Sequence, residues 1–344
     1  MLGGGVFVTQ NKVLPGSYIN FVNAKTVTST VGERGTVAIA LPIGIDEGNV
    51  IELTSTDFVT NCETLLGVKY GDAKVLALRE IFAHAKKVYL YDLGESKTAS
   101  DACIAFESYD FNILCAYTAE DTATYISQVK TWRDELGKKC QVVVYNQTKP
   151  DHEGVINVVS TISNEDVDQF ALVAWVAGAQ AGCPINASCT NMRYDGELAV
   201  VVNTKTQRQL EQCLTDGQFV FHNVYGEVRT LEDVNSLTTF TDDKGEDFKY
   251  NQTIRVIDLI ANDAAKLFNN KYLGKIQNNP SGRVSLWADL VEHHTELERM
   301  QAIEDFDPAL VTVTQGSTKK SVVINDVVTV TNCMAQLYMT IVVQ

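Results

Sequence analysis

The stretch FNILCAYTAEDTATYISQVKTWRDELGKKCQVVVYN, residues 111–146, is the part of the sequence that most clearly indicates a fold. Its two ends, Phe111 to Thr118 and Gln141 to Asn146, are apolar runs with the length and composition of buried strands. The segment between them, from Glu120 to Leu136, has apolar residues at three-residue steps: Ala123, Ile126, Val129 and Trp132. That spacing is typical of the buried face of a helix, so the stretch predicts a strand, a helix and a second strand.

The same alternation extends in both directions, from about residue 36 to residue 225. Further strands are predicted at 36–43 and 86–93, and further helices at 73–85, 101–107 and 167–181, the last one capped by 164–166. In that last helix Ala174, Gly178 and Gly182 recur at four-residue steps, which lets a helix lie close on a sheet. Alternating strands and helices favour an α/β lobe with a mixed, partly parallel sheet.

The pattern changes towards the C-terminus. Residues 254–268 have one broad apolar face, and after a break at 278–282 a second helix is predicted with an apolar stripe at Val284, Trp287, Val291, His294, Leu297, Met300 and Ile303. Three runs with a period of two follow at 310–314, 321–331 and 335–343. Two helices followed by three strands predict an α+β lobe. We therefore divide the chain into an N-terminal arm (1–24), an α/β lobe (25–238) and a C-terminal lobe (239–344), whose last strand is 335–344.

The two ends of the chain carry strand patterns without a neighbouring partner. Residues 17–22, which include Tyr18, Ile19, Asn20 and Phe21, predict one isolated strand after a Gly-, Asn- and Thr-rich start. Residues 335–343 alternate without a fault and place Leu337, Met339, Ile341 and Val343 on one side. A strand this regular must pair, either in its own sheet or at the edge of a neighbour's sheet.

The composition describes an ordinary acidic protein. The chain has 344 residues, 45% of them hydrophobic, and a formal net charge of -15, which disfavours binding to nucleic acid. Neither a secretion signal nor a membrane-spanning run is visible, so we expect a protein made and kept in a cytoplasm. In that compartment the eight irregularly spaced cysteines are expected to be small buried hydrophobes rather than metal ligands or disulfides.

A search for chemistry finds no motif. The sequence contains no phosphate-binding loop, no dinucleotide fingerprint in the required order and no nucleophile elbow. Adjacent His293 and His294 point about 100° apart on a helix and cannot chelate a metal together. We expect His294 to be a hydrogen-bonded core histidine and His293 to lie on the solvated face. The prediction is therefore no catalytic residue, no cofactor and no metal.

One stretch differs in charge from the rest of the chain. Between residues 251 and 283 the basic residues Arg255, Lys266, Lys271, Lys275 and Arg283 outnumber Asp258 and Asp263. This excess fits either an ordinary mixed helix face or a contact surface for an acidic partner.

Several motifs, in order, resemble the short tail-sheath proteins of contractile phages and of phage-tail-like bacteriocins of Gram-positive bacteria. They are VLPGSYINF (13–21), GERGTVAIALPIGI (32–45), AWVAGAQAG (174–182) with Ser188-Cys189-Thr190, VNSLTTFTDDKGEDF (234–248), IRVIDLIANDAAKLFNNKYLGKIQNN (254–279), LERMQAIEDF (297–306) and AQLYMTIVV (335–343). No single motif is decisive, but their order is kept over essentially the whole chain.

The resemblance implies a structural subunit rather than an enzyme. Sheath subunits stack as six-fold rings around an inner tube, and the terminal arms of neighbours add strands to the sheet of a third subunit. The C-terminal lobe would face the tube and the α/β lobe would face outward, which makes Lys266, Lys271, Lys275 and Arg283 the expected tube contacts. Other expected partners are baseplate and tail terminator proteins, with no direct nucleic acid contact and no membrane insertion.

The resemblance also implies how the protein works. Contraction would be a lattice transition from a metastable to a stable state, which drives the tube through a cell envelope without nucleotide hydrolysis. The particle would be a virion or a bacteriocin, assembled in the bacterial cytoplasm, and the sequence leaves these two open. Two alternatives remain at this point: an intracellular α/β enzyme of unknown substrate, and a non-contractile capsid or scaffold protein.

Overall fold

The computed structural model describes residues 34–118, 121–164, 166–202 and 204–343. A seven-stranded sheet forms its centre, in the order β2-β3-β1-β4-β5-β6-β9. These strands are β1 (Thr36–Leu41), β2 (Val50–Thr54), β3 (Lys87–Asp92), β4 (Ile113–Cys115), β5 (Gln141–Tyr145), β6 (Val155–Val158) and β9 (Gln218–Phe219). All neighbours are parallel except β2 and β3, which are antiparallel, so the predicted mixed, partly parallel sheet is confirmed.

Helices cover both faces of this sheet. They are α1 (Ser55–Leu66), α2 (Leu76–Phe82), α3 (Ala99–Phe106), α4 (Thr122–Thr131), α5 (Ala171–Gly182) and α6 (Gln207–Thr215). The side chains of β1 alternate between the two faces: Val37 and Ile39 join a core with α1, α2 and α5, while Ala38 and Ala40 join a core with α3 and α4. Because both faces are covered, the central strands are continuous apolar runs, which explains why the sequence revealed them.

Helix α5 lies against α2 at very short range. A Cβ atom on Gly178 would be 2.3 Å from the carbonyl oxygen of Ile81, and one on Gly182 would be 2.2 Å from that of His84. These two glycines therefore allow backbone contact with the end of α2, whereas the sequence placed the small residues against the sheet. The helix begins at Ala171 rather than at the predicted residue 167.

Two short pairs of strands lie beside the sheet: β7 (Thr161–Ile162) with β8 (Val200–Val201), and β10 (Phe221–Val224) with β11 (Glu227–Thr230). The linking stretch 231–250 follows, and we call residues 34–230 the sheet region and residues 251–343 the C-terminal region.

The C-terminal region consists of two helices and four short strands. They are α7 (Asn251–Leu267), α8 (Pro280–Arg299), β12 (Ile303–Glu304), β13 (Thr312–Gln315), β14 (Val322–Asn325) and β15 (Thr329–Val330). Strands β13 and β14 form a hairpin, and β12 pairs with β15. The run 321–331, predicted as one strand, is thus two strands separated after Asn325. The isolated strand predicted at residues 17–22 lies outside the described residues.

The apolar stripe predicted for α8 is wrong in part. The buried positions are Leu286, Leu290, His294 and Leu297, whereas Val284 is 62% exposed. His294 is confirmed as a core histidine: it is buried, with its ring nitrogens 2.8 Å from the Leu290 carbonyl oxygen and from an Asp326 carboxylate oxygen. His293 is not on a solvated face, because its Nε2 lies 3.2 Å from Asp263 and only 12% of its side chain is exposed.

Candidate assembly surfaces

Helix α7 joins the C-terminal region to the sheet region through polar side chains. Asn251, Arg255, Asp258 and Asn262 recur at three- or four-residue steps and are all buried. Asn262 Nδ2 donates to the Lys139 carbonyl oxygen at 2.9 Å, and Gln141 Nε2 donates to Asn251 Oδ1 at 3.0 Å. The sequence predicted the buried apolar face of α7. The structure shows that the polar face of the helix is buried as well.

Two buried ion pairs form the centre of this junction. Arg133, in the turn that ends α4, donates from both terminal nitrogens to the two carboxylate oxygens of Asp258, at 2.6 and 2.9 Å. Arg255 pairs with Asp233 at 3.1 Å and also donates to Gln180 Oε1 at 2.9 Å. Burial by itself would lower the pKa of each arginine, but the adjacent aspartate raises both pKa values above the ordinary value. Both arginines are therefore charged in the core.

The linking stretch is held by a third polar contact. Asp151 Oδ1 accepts hydrogen bonds from Thr238 N at 2.7 Å, from Thr238 Oγ1 at 3.0 Å and from Thr239 N at 2.9 Å. Burial would raise the pKa of the Asp151 carboxyl, but hydrogen bonds from Thr239 and Thr238 lower it to about 2. The ionised carboxylate thus fixes the chain where it leaves the sheet region.

The end of the C-terminal region is an apolar segment that no other described residue covers. Leu337, Met339, Ile341 and Val343 are 70–89% exposed, and residues 335–343 pair with no strand of the described chain. The last long-range backbone contact of the described residues is the hydrogen bond from Cys333 N to Gln252 Oε1 at 3.0 Å. The predicted end strand therefore pairs with none of the sheets in the described residues, and its pairing with a neighbour stays a prediction.

Most of the predicted basic surface is already paired. Arg255 is buried with Asp233, so counting it as a surface charge was wrong. Lys266 Nζ lies 2.5 Å from Asp110, and Lys271 Nζ lies 2.7 Å from Asp289. Lys275 Nζ donates to the Asn270 carbonyl oxygen at 2.6 Å, and Arg283 Nη1 donates to Asn278 Oδ1 at 3.0 Å. The role of Lys266, Lys271, Lys275 and Arg283 as tube contacts stays a prediction.

One cluster in the described residues has the composition of a metal site. Ligand atoms of Asp134, His152 and Glu153 lie within 4.8 Å of one another. However, Lys244 Nζ lies 2.9 Å from Glu153 and 3.8 Å from Asp134, and Arg133 Nε lies 3.7 Å from Glu153. Two cationic side chains already neutralise these carboxylates, so the cluster fits an ion-pair network better than a metal site.

The cysteines largely follow the sequence prediction. Seven of them are buried free thiols: Cys62, Cys103, Cys115, Cys140, Cys183, Cys189 and Cys213. Cys333 differs, because it is exposed where the chain leaves the C-terminal region. No helix among the residues described reaches the length and apolar character that a membrane crossing requires.

Two protein-family models match long stretches of this chain. The family model "Phage tail sheath protein central domain" matches residues 95–236, and "Phage tail sheath C-terminal domain" matches residues 243–344. The chain belongs to the phage tail sheath family. Both matches are to domains of phage tail sheath proteins, and the structural neighbours include a contracted sheath of an extracellular contractile injection system.

Individual tail sheath relatives agree with this assignment. The "Tail sheath protein" of Clostridium phage phiCD119 is 26% identical over 74% of this chain and 72% of its own length. The crystal structure of a sheath tail protein from Desulfitobacterium hafniense is 26% identical, with a TM-score of 0.74 over 87% of this chain and 93% of that one. The contracted helical sheath of the anti-feeding prophage shares the fold, with a TM-score of 0.71 at 14% identity, over 96% of this chain and 99% of that one.

Two curated relatives are longer than this tail sheath chain. Both are from Bacillus subtilis, at 38% and 34% identity, and the alignments span only 31% and 37% of their lengths. The chain therefore aligns with about a third of the length of each of these two relatives.

The first prediction concerns the junction of this tail sheath subunit. Replacing Asp258 by alanine removes the bidentate partner of the buried Arg133 guanidinium and leaves only Glu153, 3.7 Å from Nε, so the free energy of unfolding should fall by about 3 kcal/mol. Urea unfolding followed by tryptophan fluorescence measures the change. The control is Glu296→Ala, which removes an exposed pair with Arg299 and should change stability little. Equal effects of the two substitutions would contradict the assignment of Arg133–Asp258 as a structural pair.

The second prediction concerns pH. Because the pKa of Asp151 is depressed from 3.8 to about 2, its contribution to stability is complete above pH 3.8 and is lost as pH falls towards 2. Asp151→Asn mimics the protonated carboxyl. The difference in unfolding free energy between the native chain and this variant should therefore be constant from pH 7 to about 5 and shrink between about pH 4 and pH 2. A difference that stays constant down to pH 2 would contradict the stabilising role of the hydrogen bonds from Thr238 and Thr239 to ionised Asp151.

Proposed function

We propose that this tail sheath subunit polymerises as stacked six-fold rings around an inner tube and contracts to drive the tube through a target cell envelope. The observation that carries the proposal is the exposed apolar segment 335–343. Leu337, Met339, Ile341 and Val343 would each release apolar surface from water on docking, and nothing in the described chain covers them. A strand of this kind needs a sheet edge to pair with, and in this proposal another subunit supplies that edge.

The hairpin β13–β14 is the acceptor we propose for strands of neighbouring subunits. One of its faces packs on the helices: Val313 and Val322 contact the core that contains Tyr272, Leu286 and Leu290. Among the described residues it is a two-stranded sheet, so the outer edge of each strand pairs with no other described strand. An added strand would find backbone donors and acceptors there, and the apolar side of the strand could extend the core below.

The N-terminal arm would supply the second link. Tyr18, Ile19, Asn20 and Phe21 belong to a strand-like run, and an arm that reaches across a subunit boundary would connect a third copy. Main-chain ladders depend little on side-chain pockets, so a lattice linked in this way can rearrange and remain connected.

The remaining partners follow from the same arrangement. The C-terminal region would face the inner tube, with Lys266, Lys271, Lys275 and Arg283 as candidate contacts, and the ends of the sheath would meet baseplate and tail terminator proteins. The free energy for contraction would be stored during assembly, which agrees with a sequence that lacks a phosphate-binding loop. The particle would be a virion or a bacteriocin assembled in the bacterial cytoplasm.

The third prediction tests polymerisation and the terminal arms together. The purified chain should form long hollow cylinders in negative-stain electron microscopy without added nucleotide. Deletion of residues 1–22 or of residues 335–344 should leave a folded monomer, judged by circular dichroism and sedimentation, that no longer polymerises. Normal assembly of either deletion variant would show that strand exchange is wrong. Monomers that turn over a small substrate would favour an enzyme, and closed shells would favour a scaffold protein.

The fourth prediction tests the alternation of residues 335–343, in which every second side chain lies on the same side of the strand. Leu337→Asp with Ile341→Asp places charges on the side expected to pack, whereas Gln336→Asp with Thr340→Asp places the same charges on the opposite side. Each apolar side chain that is no longer buried costs about 1.5–3 kcal/mol of binding free energy. The first pair of substitutions should therefore raise the lowest concentration that gives cylinders by at least about tenfold. The second pair is the matched control and should change it little. Equal effects from both pairs would argue against a paired strand.

A further inference from the structure

A groove lies between the loop after α7, the first turn of α8 and the hairpin β13–β14. A cavity of about 100 Å³ is lined by Ile276, Arg283, Lys320 and Val322 among others. A second cavity of about 270 Å³ continues on the other side of Arg283 and is lined by Val284, Trp287 and Val313 among others. We call this continuous depression the basic groove. Its shape is fixed, because Asn278 Nδ2 donates to the Lys319 and Ser321 carbonyl oxygens at 3.1 and 2.8 Å.

The basic groove combines an apolar floor with a cationic rim. Ile276 is 46% exposed and Val284 is 62% exposed, which is unusual for side chains that border a cavity of a folded region. Arg283 and Lys320 line the groove. Lys275 and Lys319 are exposed and are next in the sequence to lining residues. None of these four side chains forms an ion pair with a carboxylate of the described residues; Lys275 donates to a carbonyl oxygen and Arg283 to an amide oxygen. In a chain with a net charge of -15, a groove lined and flanked by basic side chains without carboxylate partners among the described residues would attract an acidic partner.

The same chain carries a segment with the complementary chemistry. The loop 239–247 exposes Phe240, and it also exposes Asp242, Asp243, Glu246 and Asp247. These four carboxylates make no ion pair with any residue of the described chain. Lys244, the basic residue among them, is bound to Glu153 at 2.9 Å and so does not neutralise them. We call this segment the acidic loop.

We propose that the basic groove of one subunit binds the acidic loop of a second copy, with Phe240 on the apolar floor and the carboxylates on the cationic rim. The two surfaces are different parts of the chain, so the contact is head-to-tail, and repeated head-to-tail contacts give rings or open helical arrays. The inference rests on the proposed function and deepens it, because it names a side-chain contact between subunits in addition to strand exchange.

Two of the basic residues at the groove, Lys275 and Arg283, are also predicted from the sequence to contact an inner tube. Lys319 and Lys320, which complete the rim, were not among the predicted residues because they are distant in sequence. A second copy of the chain is the occupant that the charges of the described residues favour, since the loop and the groove match in both charge and apolar content. Binding of the tube in the groove is the competing outcome.

A charge swap tests the proposal. Lys275→Glu with Lys320→Glu should raise the lowest concentration that gives cylinders by at least about tenfold, because carboxylates would then face carboxylates. Adding Asp242→Lys and Asp243→Lys to the same chain should restore assembly to within about threefold of the native chain. The control is Lys69→Glu with Lys74→Glu, which changes net charge equally at exposed positions far from the groove in sequence and should have little effect.

A second measurement does not depend on the variants. Zero-length carbodiimide cross-linking of a mixture of unlabelled and ¹⁵N-labelled chains should join Lys275, Lys319 or Lys320 of one copy to Asp242, Asp243 or Glu246 of another. Mass spectrometry identifies these mixed-label peptides.

The outcomes separate this inference from the proposed function. If the native chain forms cylinders but the groove variant assembles normally, or if the swap fails to restore assembly, the inference is wrong and the proposed function stands. If the groove variant forms normal cylinders that no longer retain the tube protein, the tube is the occupant and the inference is overturned. If the native chain neither polymerises nor gives mixed-label cross-links, both proposals fail.

Discussion

The paired charges of Arg133 with Asp258 and of Arg255 with Asp233 are the interaction on which the rest of the subunit depends. Each guanidinium is out of contact with water, so separating it from its carboxylate leaves a buried charge uncompensated. Helix α7 is therefore held against the sheet region in one arrangement. The lattice transition that we propose would take place at the exposed surfaces, because those surfaces can rearrange without uncovering such charges.

The exposed surfaces differ in the forces that would hold them against a neighbouring subunit. The segment 335–343 is apolar, and its burial against a neighbour would be driven by release of water and would depend weakly on salt. The basic groove and the acidic loop are charged and partly solvated, so their attraction would weaken as ionic strength rises. A subunit with both kinds of surface can keep a permanent strand link while its charged contacts exchange. This division of roles suits an array that must change its spacing and stay connected.

The sequence predicted four of the seven sheet strands, β1, β3, β4 and β5, but neither β2, β6 and β9 nor the polar junction. Strands such as β1 and β5 are buried on both faces, so their residues are uniformly apolar and stand out. The face of α7 with Asn251, Arg255 and Asp258 is equally buried but polar, and polar residues on a helix are ordinarily assigned to solvent. A repeat of Asn, Arg, Asp and Asn at helical spacing was the available signal. The α8 stripe was misplaced because Val284 was taken as a core residue.

Val284 and the segment 335–343 show that an apolar sequence pattern does not always correspond to burial within the same fold. Both suggest burial from sequence alone, and both are exposed in the chain. In a protein that acts alone such side chains would lower solubility and leave apolar surface in water. Val284 borders the basic groove, and the terminal segment adjoins no sheet of the described residues. Apolar periodicity that the described residues leave uncovered is thus consistent with the burial between subunits that we propose.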